Sequence, residues 1–242
     1  MASSRATARQ RQTPLSDDDD AAIAERKRAA ARAAAELIED GMRVGLGTGT
    51  TVAHLLPAIA ARACKGLRCV ATSPETEAAA RELGLTVESL DDLGELDIAI
   101  DGADQIDPRG WLIKGGGGAH TREKIVASAA RCFVVIASAE KLVAELSPPV
   151  PLELVPFGVG HTLASVAPAR LRGLPPSPDG GVIGDYLGPV ADPRELAARL
   201  SATPGVVEHG LFEPELVSLI LIAGAESVQR RAGAKPSVAP LV

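Results

Sequence analysis

Short apolar runs alternate with longer segments of helical periodicity through the first part of the chain. Apolar runs bounded by turn residues predict strands, whereas Ala- and Leu-rich stretches that end at glycine predict helices. The predicted strands are 44–46, 67–72, 85–89, 98–100 and 133–137. The predicted helices are 21–40, 52–63, 75–83 and a helix that contains Glu123 and runs to about residue 130. Because strands that alternate with helices form right-handed βαβ units, this order predicts a parallel sheet flanked by helices, a Rossmann-like α/β fold.

The composition changes at Pro148-Pro149-Val150-Pro151, where the prolines indicate a domain boundary. Beyond this point we predict strands at 152–155, 182–187 and 206–211 and helices at 163–171 and 193–201. This mixture is typical of a small α+β domain of ferredoxin-like type, and we expect residues 148–211 to form an inserted lid or oligomerisation domain. The apolar run 219–222 predicts a strand that rejoins the first sheet, so residues 21–147 and 212–242 form the Rossmann-like domain.

The two ends of the chain lack the apolar periodicity of the rest. Residues 1–20 finish in the charge run Asp17–Asp20, and we expect them to form a disordered tail. The first residues are rich in Ser, Ala and Arg, as organellar transit segments are, but the stretch is short and ends in acid. We therefore expect a cytoplasmic protein, and we expect the segment after about Ala232 to be loose.

Composition restricts the core and the partners. Of the 242 residues, 46% are hydrophobic but only 2% are aromatic, so the core must be aliphatic. The formal net charge is -6 and the sequence has no basic stripe, which argues against nucleic acid as a partner. No apolar run reaches the length of a membrane span. The three cysteines have no metal-like spacing and predict free thiols in a reducing compartment.

A dense group of ionisable residues follows the apolar strand that ends at Ile100. Two carboxylates, an ammonium, a glycine run and a further carboxylate come in the order Asp101, Asp104, Lys114, Gly115–Gly118 and Glu123. Such a density of charge beside flexible backbone predicts a site for a small polar substrate. Taken alone, these residues also fit a plainer interpretation, in which the aspartates organise a turn and Glu123 favours a helix N-terminus.

A second polar turn, Gly47-Thr48-Gly49-Thr50-Thr51, lies between a predicted strand and a predicted helix. Glycines allow close approach of the backbone, the helix N-terminus favours negative charge and threonine hydroxyls donate, so the turn is a candidate phosphate site. Thr50 occupies the last glycine position of a dinucleotide-binding GxGxxG motif, so phosphate alone fits better than a dinucleotide. Since ligands bind beyond the carboxyl ends of parallel strands, the turns at Thr48, Ser73 and Asp101 should gather at one edge.

These segments together resemble ribose-5-phosphate isomerase of type A, whose motifs are a GxGTGST turn, DGADE, and a lysine and glycine run before a REK helix. The matching segments are Gly45–Thr51, Asp101–Asp104, Lys114–Gly118 and Arg122–Lys124. The resemblance spans most of residues 25–225. Two features depart from it: Gln105 stands where the family usually has glutamate, and the Pro- and Gly-rich stretch 172–181 is shorter than its counterpart.

The resemblance implies an aldose–ketose isomerase of the pentose phosphate pathway, which interconverts D-ribose 5-phosphate and D-ribulose 5-phosphate through an enediolate without a metal or other cofactor. Glu123 would shuttle the proton between C1 and C2. Asp101, assisted or oriented by Asp104, would open the sugar ring, and Lys114 would stabilise the oxyanion together with glycine-loop N–H groups. Substrate contacts are implied for Gly47, Thr48, Gly49, Thr50, Thr51, Gly115, Gly116, Gly117, Lys141 and Lys27. The implied assembly is a homodimer or homotetramer.

The ionisation of Glu123 is the open question of this hypothesis. A neighbouring carboxylate raises the pKa of a glutamate, whereas a helix N-terminus lowers it. Burial would have to offset the helix, and burial depends on the tertiary structure.

Two other functions stay open at this point. A non-catalytic sugar-phosphate sensor is one, because ligand-binding domains of some transcription regulators resemble this fold. Against it, the acidic and lysine positions are intact and no DNA-binding module is evident. A nicotinamide-dependent oxidoreductase is the other, and the incomplete glycine motif disfavours it.

Overall fold

The computed structural model describes residues 17–236, which form seven α-helices and thirteen strands. The helices are α1 (Asp17–Ala35), α2 (Val52–Arg62), α3 (Pro74–Glu82), α4 (Leu90–Leu93), α5 (His120–Ala129), α6 (Val159–Ser165) and α7 (Pro193–Ser201). The strands are β1 (Arg43–Leu46), β2 (Arg68–Ala71), β3 (Leu96–Gly102), β4 (Gln105–Ile106), β5 (Leu112–Ile113), β6 (Ala130–Ser138), β7 (Val150–Leu154), β8 (Ala169–Leu171), β9 (Val182–Tyr186), β10 (Val206–His209), β11 (Leu211–Phe212), β12 (Leu219–Ala223) and β13 (Val228–Ala232). Most of the predicted N-terminal tail and the last part of the predicted loose end lie outside the described residues.

The largest sheet confirms the predicted Rossmann-like layer. Its strand order is β13-β12-β6-β3-β1-β2, parallel from β12 to β2 with β13 antiparallel at the edge. Alternate residues of β6 face opposite sides: Val134 and Ile136 pack with α1 and α2, whereas Phe133 and Val135 pack with α5. Helices therefore cover both faces of the sheet, and the side chains buried beneath them are mostly aliphatic, as the composition predicts.

The second sheet has the strand order β10-β7-β9-β8, with every neighbouring pair antiparallel. Along the chain its elements run β7, α6, β8, β9, α7 and β10. This is the split βαβ arrangement of ferredoxin-like folds, and it confirms the predicted small α+β unit. The chain leaves the large sheet after β6 and returns to it at β12. The exact limits of an inserted domain at 148 and 211, and its use as a lid, stay predictions.

A third, small sheet connects these two units. It has the order β11-β5-β4, and β11 pairs with β5 so that Leu211 lies opposite Ile113. Directly after β5, the backbone N–H of Lys114 donates to the carbonyl of Gly210 over 2.9 Å. The segment that leaves the second sheet therefore fixes the backbone that carries Lys114.

Local capping explains two helices that begin close to their predicted positions. The Ser73 side chain accepts a hydrogen bond from Thr76 N at the start of α3, and proline follows the cap. Asp192 accepts from two backbone N–H groups at the start of α7, which has the predicted bounds 193–201. Side-chain caps followed by proline are strong helix-start signals because they satisfy N–H groups that lack helical partners.

Two predicted elements near the N-terminus are different in the structure. The helix predicted for 21–40 is α1, which begins already at Asp17 and stops before the predicted end. Its first residues are acidic, and negative charge at a helix N-terminus is favourable. The strand predicted for 85–89 was wrong, because the pairing there is the single bridge from Val87 to Cys69.

Three predictions in the second half also need correction. The helix predicted for 163–171 ends at Ser165, and the last predicted residues instead form β8. Pro168 explains this change, because proline lacks the N–H needed to continue a helix. The strand predicted for 206–211 is divided into β10 and β11, in two different sheets, at Gly210. The edge strand β13 and the β4–β5 hairpin had no predicted counterpart.

Residues 17–236 contain no helix that is both long enough and apolar enough to cross a membrane. All three cysteines fall in this part of the chain and form no disulfide. Burial, with a smaller contribution from Glu88, raises the pKa of the Cys69 thiol to about 11.

Candidate active site

The carboxyl ends of β1, β2 and β3 meet at one edge of the large sheet, which confirms the predicted gathering of turns. Thr48, after β1, donates its N–H to Asp101 Oδ1 over 3.1 Å, and its hydroxyl lies 2.7 Å from that of Thr72. The Thr76 hydroxyl donates to the carbonyl of Gly47 over 3.0 Å. Asp101 lies within β3 and not in the loop after it. The roles of Thr72 and Thr76 were missed, although their place after a parallel strand was an available signal.

Lys114 lies at the centre of the site. Its Nζ is 2.8 Å from Asp101 Oδ2 and 3.1 Å from Glu123 Oε2. It also donates to the carbonyl of Gly102 over 2.7 Å. Only 2% of Lys114, 3% of Asp101 and 5% of Glu123 is exposed. A single buried cation is thus held between two buried carboxylates.

The aromatic ring of Phe212 supports this lysine from the third sheet. Lys114 Nζ lies 5.3 Å from the ring centroid, and Lys124 Nζ lies 5.0 Å from it. Cation–π attraction at such distances strengthens when the cation is desolvated. Phe212 was not predicted as a site residue, because its position beside Lys114 depends on the pairing of β11 with β5.

Gly47 is required by the close approach of β1 and β3. A Cβ atom at Gly47 would overlap the carboxyl group of Asp101. The absence of a side chain therefore lets Asp101 lie directly on the backbone of the turn and accept the Thr48 N–H.

Burial decides the ionisation of this cluster. Burial, followed by the negative charge of Asp101, raises the pKa of Glu123 to about 8, against the opposing effect of Lys114. This outweighs the lowering expected from the helix N-terminus, where Glu123 lies in the first turn of α5. Burial alone would lower the pKa of Lys114, but the two carboxylates raise it above its usual value. The lysine is therefore held as a cation, and burial also raises the pKa of Asp101, so both carboxyl groups bind a proton more readily than usual.

Asp104 contacts the glycine loop. Its Oδ2 accepts the N–H of Gly116 over 2.9 Å, so it orients the glycine loop. Within residues 17–236, no hydrogen bond joins it to Asp101. The idea that Asp104 orients Asp101 directly has no contact to support it.

A pocket opens beside this cluster and brings most of the predicted site residues together. It is lined by Thr48, Gly49, Thr50, Thr51, Gly102, Ala103, Asp104, Lys114, Gly115, Gly116, Gly117, Glu123 and Lys141. Gly47, Asp101 and Lys27 are not among the lining residues, although Lys27 donates to the Thr50 hydroxyl over 2.9 Å. Gly102 and Ala103 are lining residues that were not predicted, although they lie within the DGAD segment.

Gln105 uses both ends of its amide. Its Nε2 donates to the carbonyl of Ser147 and its Oε1 accepts the N–H of Ser147, each over 2.9 Å. An ionised glutamate could accept but could not donate here. The departure from the family pattern therefore adds a contact to the segment that leads into the second sheet.

In the described part of the chain, no group of three or more His, Cys, Asp or Glu side chains could hold a metal ion. His120 borders the glycine loop, but burial and the charge of Lys124 lower its pKa to about 3. The imidazole is therefore neutral. It packs against Gly115 so closely that a Cβ atom added at Gly115 would lie 2.7 Å from His120 Nδ1.

Comparison with known proteins identifies the family. The family model of ribose 5-phosphate isomerase A (phosphoriboisomerase A) matches residues 68–227. Ribose-5-phosphate isomerase A of Caulobacter vibrioides is 46% identical over 221 residues, which cover 85% of this chain and 97% of that protein. The chain belongs to the ribose 5-phosphate isomerase A family.

Solved structures of this family have the same fold. Ribose 5-phosphate isomerase A of Methanocaldococcus jannaschii superposes with a TM-score of 0.81 at 32% identity, covering 86% of this chain and 98% of that one. A D-ribose-5-phosphate isomerase in complex with phospho-erythronic acid superposes with a TM-score of 0.83 at 32% identity, covering 87% and 99%. The mainly parallel sheet with its separate small antiparallel sheet is therefore the architecture of the family.

Replacing Lys114 by methionine should destabilise the protein in a pH-dependent way. Removing one partner of a buried ion pair costs about 3–5 kcal/mol, because the other charges stay buried. Without the lysine, Asp101 and Glu123 would have pKa values in the folded state that lie above their unfolded values. The folded state is then favoured at low pH, where both groups are protonated, and becomes less stable as pH rises and they ionise. The free energy of unfolding in urea should fall more at about pH 8 than at about pH 5.

The exposed Lys65 offers a matched control, since Lys65→Met removes the same charge from the surface. Its effect should be within about 0.5 kcal/mol at both pH values. An equally small loss of unfolding free energy in Lys114→Met would contradict the conclusion that Lys114 is a buried, charged side chain.

Proposed function

We propose that this protein interconverts D-ribose 5-phosphate and D-ribulose 5-phosphate through an enediolate. The observation that carries the proposal is the buried Lys114, 2.8 Å from Asp101 and 3.1 Å from Glu123, on the wall of a pocket that the threonine turn also lines. Family membership supports the same reaction. The related isomerase that holds phospho-erythronic acid, a phosphorylated sugar acid, supports a sugar phosphate as the ligand.

Glu123 is the proposed proton shuttle. Moving a proton between adjacent carbons needs one base that can reach both, and Glu123 lines the pocket. A general base works best when its pKa lies near the working pH, and burial raises that of Glu123 to about 8. This carboxylate therefore both accepts and returns a proton at a small energetic cost.

Lys114 and the glycine loop are the proposed stabilisers of the enediolate oxygen. Lys114 is a permanent cation in a site shielded from water, where electrostatic stabilisation of developing charge is strong. Gly115, Gly116 and Gly117 line the same pocket, where the Gly116 N–H donates to Asp104 and the Gly117 N–H has no partner within residues 17–236. Because these residues lack side chains, a substrate oxygen can approach their backbone closely.

Ring opening needs a second acid or base, for which the resemblance indicates Asp101. In this structure Asp101 lies behind Lys114, whereas Asp104 lines the pocket. We infer that Asp104 is better placed to reach the sugar ring, while Asp101 holds the lysine and raises the pKa of Glu123.

The phosphate is proposed to bind at the threonine turn. Thr48 to Thr51 lie before α2, where backbone N–H groups and the helix dipole favour an anion. Lys141 lines the pocket and Lys27 contacts Thr50, so two ammonium groups are available beside this turn.

The proposed assembly is a homodimer or homotetramer in the cytoplasm. Large apolar side chains are exposed on and beside the second sheet, with 92% of Phe157, 40% of Val155 and 48% of Val207 accessible. Contiguous exposed apolar surface is typical of protein–protein contacts. Light scattering should give a multiple of the chain mass, and Phe157→Ser should reduce it; a monomeric unaltered chain would contradict this proposal.

Replacing Glu123 by glutamine should abolish most of the isomerisation, because the amide cannot accept the proton. Removal of a general base lowers kcat by about 10²- to 10⁴-fold. A coupled assay for ribulose 5-phosphate, run with EDTA present, measures this loss. The exposed Glu82 on α3 supplies the control, since Glu82→Gln should leave the rate unchanged.

Near-normal turnover by Glu123→Gln would contradict the shuttle. If the unaltered protein bound ribose 5-phosphate without converting it, the sensor function would be favoured instead.

The pH profile of the unaltered enzyme should follow the ionisation of Glu123. Since the base must be deprotonated, kcat/KM should rise with pH and level off above about 8. Asp101→Asn removes a negative charge that raises the pKa of Glu123, so the rising limb should move to lower pH. Asp104→Asn should also move the rising limb to lower pH, but by less, because Asp104 raises the pKa of Glu123 less than Asp101 does.

The exposed Asp91 provides a control for the loss of a negative charge, and Asp91→Asn should leave the pH profile of kcat/KM unchanged. A limb that stays fixed in Asp101→Asn would show that another group controls the profile.

A further inference from the structure

One side chain of the second sheet reaches into the active-site loop. Arg172 follows β8, and its guanidinium donates to the carbonyl oxygens of Gly115 over 2.9 Å and Gly116 over 3.0 Å. These two carbonyls belong to consecutive peptide groups in the glycine run after Lys114. Although Arg172 begins the Pro- and Gly-rich stretch, no sequence motif marks it as part of the site.

A buried carboxylate holds this guanidinium in place. Asp185 on β9 accepts from Arg172 Nε over 2.9 Å and from a terminal nitrogen over 2.6 Å. Of the two side chains, 15% of Arg172 and 4% of Asp185 is exposed. Arginine can make both sets of contacts because its planar guanidinium carries five N–H donors in fixed directions. The contact therefore ties β9 of the second sheet to the glycine loop.

The contact of Arg172 with two carbonyl oxygens also determines where the N–H groups of the same peptides point. A trans peptide directs its N–H opposite to its C=O. Since Arg172 binds the carbonyls of Gly115 and Gly116, the N–H groups of Gly116 and Gly117 point away from the guanidinium. That of Gly116 donates to Asp104 Oδ2 over 2.9 Å. That of Gly117, which lines the pocket, has no partner within residues 17–236.

Of these two N–H groups, that of Gly117 is the one available to an anion in the pocket, because that of Gly116 already donates to a carboxylate. A glycine loop has many conformations, and only some of them direct the Gly117 N–H into the pocket. The neighbouring residue Gly118 lies against Ile183 of β9, where an added Cβ would be 3.3 Å from Ile183 Cγ1. The second sheet thus supports the loop by packing as well as by the arginine.

We propose that Arg172, held by Asp185, is a positioning residue that orients the Gly117 N–H group toward the oxygen that becomes negative during isomerisation, while the Gly116 N–H is held by Asp104. The inference rests on the proposed function. It makes the second sheet part of the machinery that stabilises the transition state, although none of its strands carries a residue of the lysine–carboxylate cluster.

The neighbouring arginine of β8 provides a matched control. Arg170 lies 3.9 Å from the other oxygen of Asp185, its side chain is 68% exposed, and no hydrogen bond joins it to the glycine loop within the described residues. The variants Arg172→Lys and Arg172→Met should therefore be compared with Arg170→Lys and Arg170→Met. Lysine keeps the charge but cannot contact both carbonyls and Asp185 with a fixed geometry.

The first measurement is the kinetics of ribose 5-phosphate isomerisation, at a temperature where thermal unfolding shows every variant to be folded. We expect kcat to fall about tenfold in both Arg172 variants with little change in KM, because oxyanion stabilisation acts in the transition state. Both Arg170 variants should keep the kcat of the unaltered protein. Normal kcat in Arg172→Lys, or an equal loss in the Arg170 variants, would overturn the inference.

The second measurement does not depend on activity. In ¹⁵N-labelled protein, the amide signals of Gly116 and Gly117 should move in Arg172→Lys and stay in place in Arg170→Lys. Signals that stay in place in both would overturn the inference even if the rate fell. If the unaltered protein failed to isomerise the sugar while these signals moved, the proposed function would be wrong and the loop contact would stand.

Discussion

The buried ammonium of Lys114 is the interaction on which the site depends. It pairs with both Asp101 and Glu123, which come from β3 and α5, while its own backbone is fixed after β5. Burying a charge is costly unless it is paired, so loss of Lys114 would leave two buried carboxyl groups without a cation. The pairing requires close packing around the cluster, and at Gly47 there is no room for a side chain beside the Asp101 carboxyl group.

The same cluster holds two carboxyl groups and only one ammonium, and this connects stability to chemistry. Burial and the negative charge of Asp101 raise the pKa of Glu123 to about 8, so this carboxyl group binds a proton more readily than usual. A group that binds its proton weakly enough to release it near neutrality is suited to moving a proton between adjacent carbons. The arrangement that makes the charge balance of the site imperfect is therefore the one that gives Glu123 its proposed role.

The second sheet contributes to the site through backbone and arginine contacts. Gly210, between β10 and β11, accepts the Lys114 N–H, and Arg172 contacts the carbonyls of the glycine loop. The large sheet carries Asp101 and the threonine turn, α5 carries Glu123, and the second sheet restrains the glycine loop. This division explains how elements between β6 and β12 can contact the glycine loop of the pocket.

The sequence by itself determined the parallel sheet, the split βαβ unit and the positions of the main motifs, because hydrophobic periodicity and turn residues act over short distances. It also placed Lys114, Glu123 and the threonine turn as candidates, since each stands beside glycines at the end of an element. Only the tertiary structure decided the burial of Glu123, which reversed the effect of its helix. It alone showed that Asp104 contacts Gly116 and that Arg172 contacts the glycine loop. These outcomes depend on contacts between residues far apart in the chain, which no local pattern records.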